Sequence, residues 1–171
     1  AIDYLIKKGA LEDGAFFRSS SSVPAGMFWK MILTDAGFDS ASATFDTKLP
    51  PNVKDGDPLA QFLREAIRRG FINEARDFDA TRPVTRMEAI KILTKTKGIP
   101  LPGRASKTFL KKVEGVSSSF RSLTYVEAAY ASNLIKDADI APLRPYKELT
   151  RRDLVTWLYN YSKSGVKKAS I

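Results

Sequence analysis

The sequence predicts a mainly α-helical fold made of three helix-loop-helix repeats. A Thr-Arg-x-acid box opens a hydrophobic helix twice, at residues 85–88 and again at residues 150–153. A second type of helix, which ends at Gly or Asn before a pair of apolar residues, occurs three times. Because one helix pair of this size cannot close a hydrophobic core alone, we expect the three copies to pack on one another.

The first helix of each copy is recognised by the residue at which it stops. Gly and Asn adopt the left-handed conformation after a helix most readily. The predicted stops are Gly9, Gly70 and Asn133. For the helix starts, Asp57-Pro58 predicts an N-cap followed by a first helical residue. The spacing of Thr124 and Glu127 predicts a capping box at the start of the third copy's helix.

The second helix of each copy begins at the box. Thr85 with Glu88, and Thr150 with Asp153, have the spacing of a capping box, in which side chain and backbone exchange hydrogen bonds. Apolar residues at the fourth, fifth, seventh and eighth positions after each Thr predict a helix with one broad buried face. In copy one Pro24 replaces the Thr, and Pro suits a first helical turn, so we expect this helix to form as well.

A large apolar residue stands seven positions before each second helix and fixes the register of the copies. These anchors are Phe17, Phe78 and Leu143. Copies two and three also have a leader, at Thr44-Phe45 and Thr108-Phe109. The predicted boundaries within a single domain of 171 residues are 1–40 for module one, 44–102 for module two, 108–163 for module three and 164–171 for a basic tail. Module one lacks its leader.

The composition excludes several kinds of chemistry. The chain contains no Cys and no His, which removes thiol nucleophiles, imidazole bases, disulfides and zinc sites of Cys and His. The net charge of +9 favours anionic partners such as nucleic acid, an anionic lipid surface or an acidic polysaccharide. We find no paired carboxylates whose spacing predicts a shared site. We therefore expect a non-enzymatic protein without a cofactor or a bound metal.

The ordered set of motifs resembles the S-layer homology domain, a family that occurs as three tandem modules. The stretch 143–151, Leu-Arg-Pro-Tyr-Lys-Glu-Leu-Thr-Arg, is similar to the family's element before its second helix, and the stretch 78–88 looks like the same element with its Pro displaced. The helix-Gly-apolar-apolar elements around Gly9 and Gly70 also match. The resemblance covers nearly the whole chain. It implies modules packed about a pseudo-threefold axis and a location outside the cell, in a bacterial cell wall or surface layer.

What the resemblance implies about function is non-covalent anchoring to an anionic secondary cell-wall polysaccharide, which in this family is often pyruvylated, or to modified peptidoglycan. The ligand would bind in grooves between modules, where the Arg of each box takes part. Carried over residue by residue, the ligand-binding role falls on Arg86 and Arg151. Copy one departs from the pattern at Pro24, Ala25 and Met27. Because the chain opens inside a helix pattern, we expect a fragment or a processed product whose export signal is absent.

Two other functions fit the sequence. One is a structural or protein-interaction module of a surface layer, with another surface-layer protein as partner and its sugar sites decayed. The other is a basic nucleic-acid-binding helical domain, but the Lys and Arg clusters are distributed over the chain, which is more typical of a solvated surface. Trp29 and Trp157 lie in apolar stripes, so core packing is favoured over stacking on sugars. The pair Asp137 and Asp139 lacks the spaced oxygen ligands and Gly of a calcium loop.

Overall fold

A computed structural model describes residues 1–11, 18–41, 43, 46–73 and 75–165. Within these residues the protein is mainly helical, as predicted, with no β-strand and only two isolated β-bridges. No helix in this part of the chain has both the length and the apolar character needed to cross a bilayer. A 3-10 turn spans Ala75–Asp77, and the helices are α1 (Ile2–Lys7), α2 (Ala25–Asp35), α3 (Ala60–Arg68), α4 (Arg86–Thr96), α5 (Lys107–Leu110), α6 (Leu123–Ala131), α7 (Asp137–Ile140) and α8 (Arg151–Lys163).

The three predicted helix stops are confirmed. Gly9, Gly70 and Asn133 have φ angles of 71°, 71° and 59°, in the left-handed region. After each stop the next residue donates its N–H to a carbonyl in the preceding helix over the same distance, 2.9 Å. This hydrogen bond closes the helix end and turns the chain toward the apolar pair that follows. Asn133 is the one stop of the three that is not Gly, and its short polar side chain tolerates the left-handed conformation.

The chain divides into two compact units, residues Ala1–Val84 and Thr85–Ile171. In the first unit α2 packs on α3, and in the second unit α4 packs on α6. Each unit therefore joins the second helix of one sequence copy to the first helix of the next copy. The division falls inside predicted module two, between its anchor and its box.

Both tryptophans, which the sequence predicts to be core residues, lie in the core of their unit. Trp29 is 2% exposed and stacks on Phe71, with ring centroids 5.5 Å apart, in the first unit. Trp157 is 1% exposed in the second unit, beside Leu154, Val155 and Leu158 of the same helix face. The interpretation of these rings as core residues is confirmed. The apolar stripes predicted from helical spacing are therefore the buried faces of α2 and α8.

Two predicted helix starts are wrong in detail. Helix α3 begins at Ala60, because Asp57 caps a turn instead: its carboxylate accepts from the N–H of Leu59 and its carbonyl accepts from the N–H of Ala60. The box of Thr124 and Glu127 does not form. Glu127 instead accepts hydrogen bonds from the backbone and hydroxyl of Ser106, and α6 begins without a side-chain cap.

Some predictions lie outside the described residues. They concern the anchor Phe17, the leader Thr44-Phe45 and most of the basic tail. The leader of copy three is described, and it contains a helical turn, α5, that the sequence did not indicate. The loop from Asn133 to the anchor Leu143 is two residues longer than the loop from Gly70 to Phe78, and this insertion accompanies another short helix, α7. Helix α7 contains Asp139, which contacts the predicted site residue Arg86.

Candidate functional site

Both Thr-Arg-x-acid boxes fold as the predicted capping boxes. Thr85 accepts from the N–H of Glu88 at 3.3 Å, and the Glu88 carboxylate accepts from the N–H of Thr85 at 2.8 Å. Thr150 and Asp153 make the same two hydrogen bonds at 3.1 and 3.2 Å. Each cap satisfies backbone groups that a helix end otherwise leaves without partners. The arginine that follows each Thr is thereby fixed at the first position of its helix.

Arg86 is held between two carboxylates. Its Nη2 donates to Oδ1 of Asp139 at 2.9 Å, and its Nη1 lies 2.9 Å from Oδ2 of Asp153. Asp139 comes from α7 and Asp153 is the capping acid of α8, so Arg86 ties α4 to both helices. The side chain of Arg86 is only 10% exposed. Ion pairs shielded in this way from water are stronger than pairs on the surface.

Trp157 completes the surroundings of Arg86. The guanidinium carbon of Arg86 lies 5.0 Å from the centroid of the indole ring, within the range of a cation–π interaction. The indole Nε1 donates to Oδ1 of Asp139 at 3.1 Å, the same oxygen that Arg86 binds. Oδ2 of Asp139 accepts from the N–H of Lys136. Every polar atom of the Asp139 carboxylate therefore has a partner, and the network contains one cation and two anions.

Arg151 has different surroundings. It occupies the same position in its box as Arg86, but its guanidinium makes no hydrogen bond or ion pair with any residue that the structure describes. Its Nε is buried and has no hydrogen-bond partner. A buried N–H without an acceptor costs free energy, and in native proteins such a group commonly binds a water, an ion or a ligand. Of the two predicted ligand-binding residues, Arg151 is the one whose charge is not neutralised within the described chain.

Copy one keeps the backbone arrangement of the box without its charge. The N–H groups of Ala25 and Gly26 donate to the carbonyls of Arg82 and Ala80, as those of Arg86 and Met87 donate to Lys147 and Pro145. Ala25 is 2% exposed, and a Cβ added to Gly26 would lie 2.8 Å from the side chain of Leu59. The box of copy one is therefore closely packed around Ala25 and Gly26.

The structure brings together residues that the sequence kept apart. Arg86 and Asp153, from different copies of the box, form an ion pair, whereas Arg86 and Arg151 share no partner among the described residues. The sequence points to Asp139 only as one of two aspartates that could be compared with a calcium loop. It does not predict the contact of Asp139 with Arg86. A short acidic turn in an insertion is a weak signal, because nothing local shows which cation it will meet.

The same unit contains a cavity that the sequence did not predict. Its volume is about 530 Å³, and three cationic residues line it: Arg104, Lys107 and Arg121. They come from the segment just before α5, the first turn of α5 and the residues before α6. Arg121 is distant in the sequence from Arg104 and Lys107, so the group of three cations was not visible there.

One buried carboxylate lies in the first unit. Glu65 is 1% exposed and forms ion pairs with Arg68 and Arg69, three and four residues further along α3. The hydrogen bond from Arg68, supported by Arg69 and opposed by burial, lowers the pKa of Glu65 from its ordinary value of 4.5. The side chains of Arg68 and Arg69 are 50% and 22% exposed, so the cations that neutralise the buried Glu65 carboxylate extend to the surface.

No three His, Cys, Asp or Glu side chains gather into a possible metal site in the part of the chain that the structure describes. The arrangement combines satisfied caps and ion pairs with exposed cations, and of these the exposed cations suit binding of an anion. Compared with known proteins, the sequence matches no family model and no curated protein.

Proposed function

We propose that this protein is a non-enzymatic binding module for an anionic cell-wall glycopolymer on a bacterial surface. The observation that carries the proposal is Arg151, a cation with no partner among the described residues and with a buried Nε that lacks an acceptor. The resemblance to the S-layer homology domain supplies the class of ligand, either an acidic secondary polysaccharide, pyruvylated or not, or modified peptidoglycan.

The chemistry of Arg151 suits such a ligand. A guanidinium group presents several N–H donors in a planar fork, which matches the two oxygens of a carboxylate or ketal acid. Arg151 also stands at the first residue of α8, a helix of 13 residues, where the partial positive charge of the helix adds to its own. A carboxylate bound to the terminal nitrogens of Arg151 would neutralise the charge of the guanidinium.

Arg86 remains a predicted ligand-binding residue, but a ligand has to compete there with carboxylates of the protein. Its guanidinium already binds Asp139 and Asp153, so a ligand carboxylate would have to displace one of them. Exchanging one carboxylate for another gains little free energy unless the ligand makes further contacts. We therefore propose that Arg151 is the principal donor to the ligand. Arg86 has a supporting role, because it holds Asp153, which belongs to the same box as Arg151.

A second function is favoured by the same network. If binding of sugars has been lost, the ion pairs of Arg86 still serve a structural or protein-interaction module, because they tie three helices together. The two functions differ in what Arg151 does. In a purely structural module Arg151 can be replaced without loss of any interaction.

The test is cosedimentation of the full chain with bacterial wall sacculi, before and after extraction of their secondary polymer. We expect binding to be lost on extraction and to fall at least tenfold in Arg151→Ala, with a smaller loss in Arg151→Lys, which keeps the charge without the fork. Arg144→Ala is the matched control, since Arg144 is exposed and forms no ion pair among the described residues. Equal binding by Arg151→Ala and wild type would contradict the proposal and favour the structural module. Binding to duplex DNA that falls steeply with salt, without binding to sacculi, would favour a nucleic-acid-binding domain instead.

A further inference from the structure

The basic cavity of the second unit is separate from the box of Arg151 in its residues and its chemistry. Its walls come from the leader of copy three, the start of α6 and the residues just before it. The lining includes Arg104, Lys107, Ser118, Phe120, Arg121 and Thr124. None of these residues belongs to either Thr-Arg-x-acid box.

The charge of this cavity is unbalanced. Arg104, Lys107 and Arg121 all line it, and the lining includes no carboxylate. None of the three forms an ion pair with a described residue. The acid next to it, Glu127, has both oxygens engaged by the N–H and hydroxyl of Ser106. Three like charges around one concave space raise the local positive potential and attract an anion.

Uncharged groups in the same cavity suit a sugar. The side chain of Thr124 does not form the predicted capping box. Neither Thr124 nor Ser118, which both line the cavity, makes a side-chain hydrogen bond to a described residue. Phe120 lines the cavity and meets Tyr146 edge to face, with ring centroids 6.5 Å apart. Tyr146 is 79% exposed, which is high for a large ring. Hydroxyls can bond the hydroxyls of a sugar, and aromatic rings offer an apolar surface to its C–H groups.

The number of cations selects the kind of anion. A carboxylate carries one negative charge, whereas a phosphate monoester carries about −1.5 to −2 at neutral pH and has three acceptor oxygens. The three oxygens of a phosphate match in number the two guanidinium groups and one ammonium group that line the cavity. We propose that this cavity binds a phosphorylated sugar, as a second anion site that is independent of Arg151.

The experiment is calorimetric titration of the full chain at low salt with glucose 6-phosphate, glucuronic acid, inorganic phosphate and glucose. We expect glucose 6-phosphate to bind most tightly, inorganic phosphate at least several-fold more weakly, and glucose not at all. Replacement of Arg104 and Arg121 by Ala should weaken glucose 6-phosphate at least tenfold. All three cations are exposed, so these variants should fold.

The matched control removes two positive charges outside the cavity, as Lys111→Ala with Arg144→Ala, and should leave the affinity within about twofold. Arg151→Ala should also bind glucose 6-phosphate normally, whatever its effect on sacculi, so the two sites can fail separately. Glucuronic acid binding as tightly as glucose 6-phosphate would overturn the assignment of a phosphate. Inorganic phosphate binding more tightly than the sugar phosphate would overturn the assignment of a sugar. Equal losses in the cavity variant and the control would show that no site exists there.

Discussion

The boxes at residues 85–88 and 150–153 share one backbone structure, and their arginines have opposite surroundings. Arg86 contacts two carboxylates and an indole ring, whereas Arg151 has no partner among the described residues. The caps are therefore the part of the motif that forms the helix, and the arginine is free to take another role. In copy two that role is to hold helices together. In copy three we propose that the same residue binds a ligand.

The largest expected effect is on stability at Arg86. Replacing Arg86 by Ala leaves Asp139 and Asp153 without their cation, and we expect a loss of about 3 kcal/mol in the free energy of unfolding. Arg151→Ala should change it by less than about 0.5 kcal/mol. Urea unfolding followed by the fluorescence of Trp157, in a shared Trp29→Phe background, measures both. Similar losses in the two variants would show that Arg151 also has a structural partner.

The carboxylate side of the network provides a second, smaller effect. Asp139→Asn keeps the size of the side chain and its acceptor oxygen for the indole N–H but removes the charge that Arg86 binds. We expect a loss of about 2 kcal/mol, within the range for hydrogen bonds to charged groups. The matched control is Asp137→Asn in the same short helix, where the carboxylate accepts from the hydroxyl of Tyr130 at the surface. We expect the control to cost about 0.5 kcal/mol. A control as costly as Asp139→Asn would mean that α7 itself, rather than the ion pair, is the source of stability.

The sequence predicted the features of these sites that depend on neighbours along the chain. The capping boxes and the left-handed stops at Gly9, Gly70 and Asn133 each involve residues a few positions apart, so local spacing is enough. The contact of Arg86 with Asp139 joins distant segments, and the cavity brings Arg121 beside the distant pair Arg104 and Lys107. The failed box at Thr124 has the same cause. Ser106 offers Glu127 both an N–H and a hydroxyl, and this tertiary contact outweighs a single local cap.

The first unit reverses the charges of the Arg86 network and allows a test by pH. There one buried carboxylate, Glu65, is held by two arginines that reach the surface. Its pKa is lowered from 4.5, chiefly by Arg68, so its ionised form stabilises the folded state above pH 4.5. This contribution is lost as the pH falls through the lowered pKa. Glu65→Gln should cost about 1.5 kcal/mol at neutral pH, and the difference from wild type should shrink toward pH 3.

Circular dichroism melts between pH 3 and pH 7 measure the effect of Glu65. Asp46→Asn is the control, because Asp46 is an exposed acid of the same unit and has no ion pair among the described residues. Its difference from wild type should stay near zero across the range. A Glu65→Gln difference that is constant with pH would indicate that the lost interaction is packing rather than charge.

The smallest expected effects are at the caps, and here the two boxes should agree. Thr85→Ala and Thr150→Ala each remove one side-chain acceptor for a backbone N–H, and we expect each to cost about 1 kcal/mol. Thr156→Ala, the same change at an exposed position inside α8, should instead stabilise the helix by about 0.5 kcal/mol, because Ala has the higher helix propensity. Urea unfolding of the three variants separates capping from the chemical change itself. Equal costs at Thr85 and Thr150 would locate the difference between the boxes in their arginines alone. A much larger cost at Thr85 would mean that its cap and the Arg86 network are coupled, so that Arg86 depends on the cap for its position.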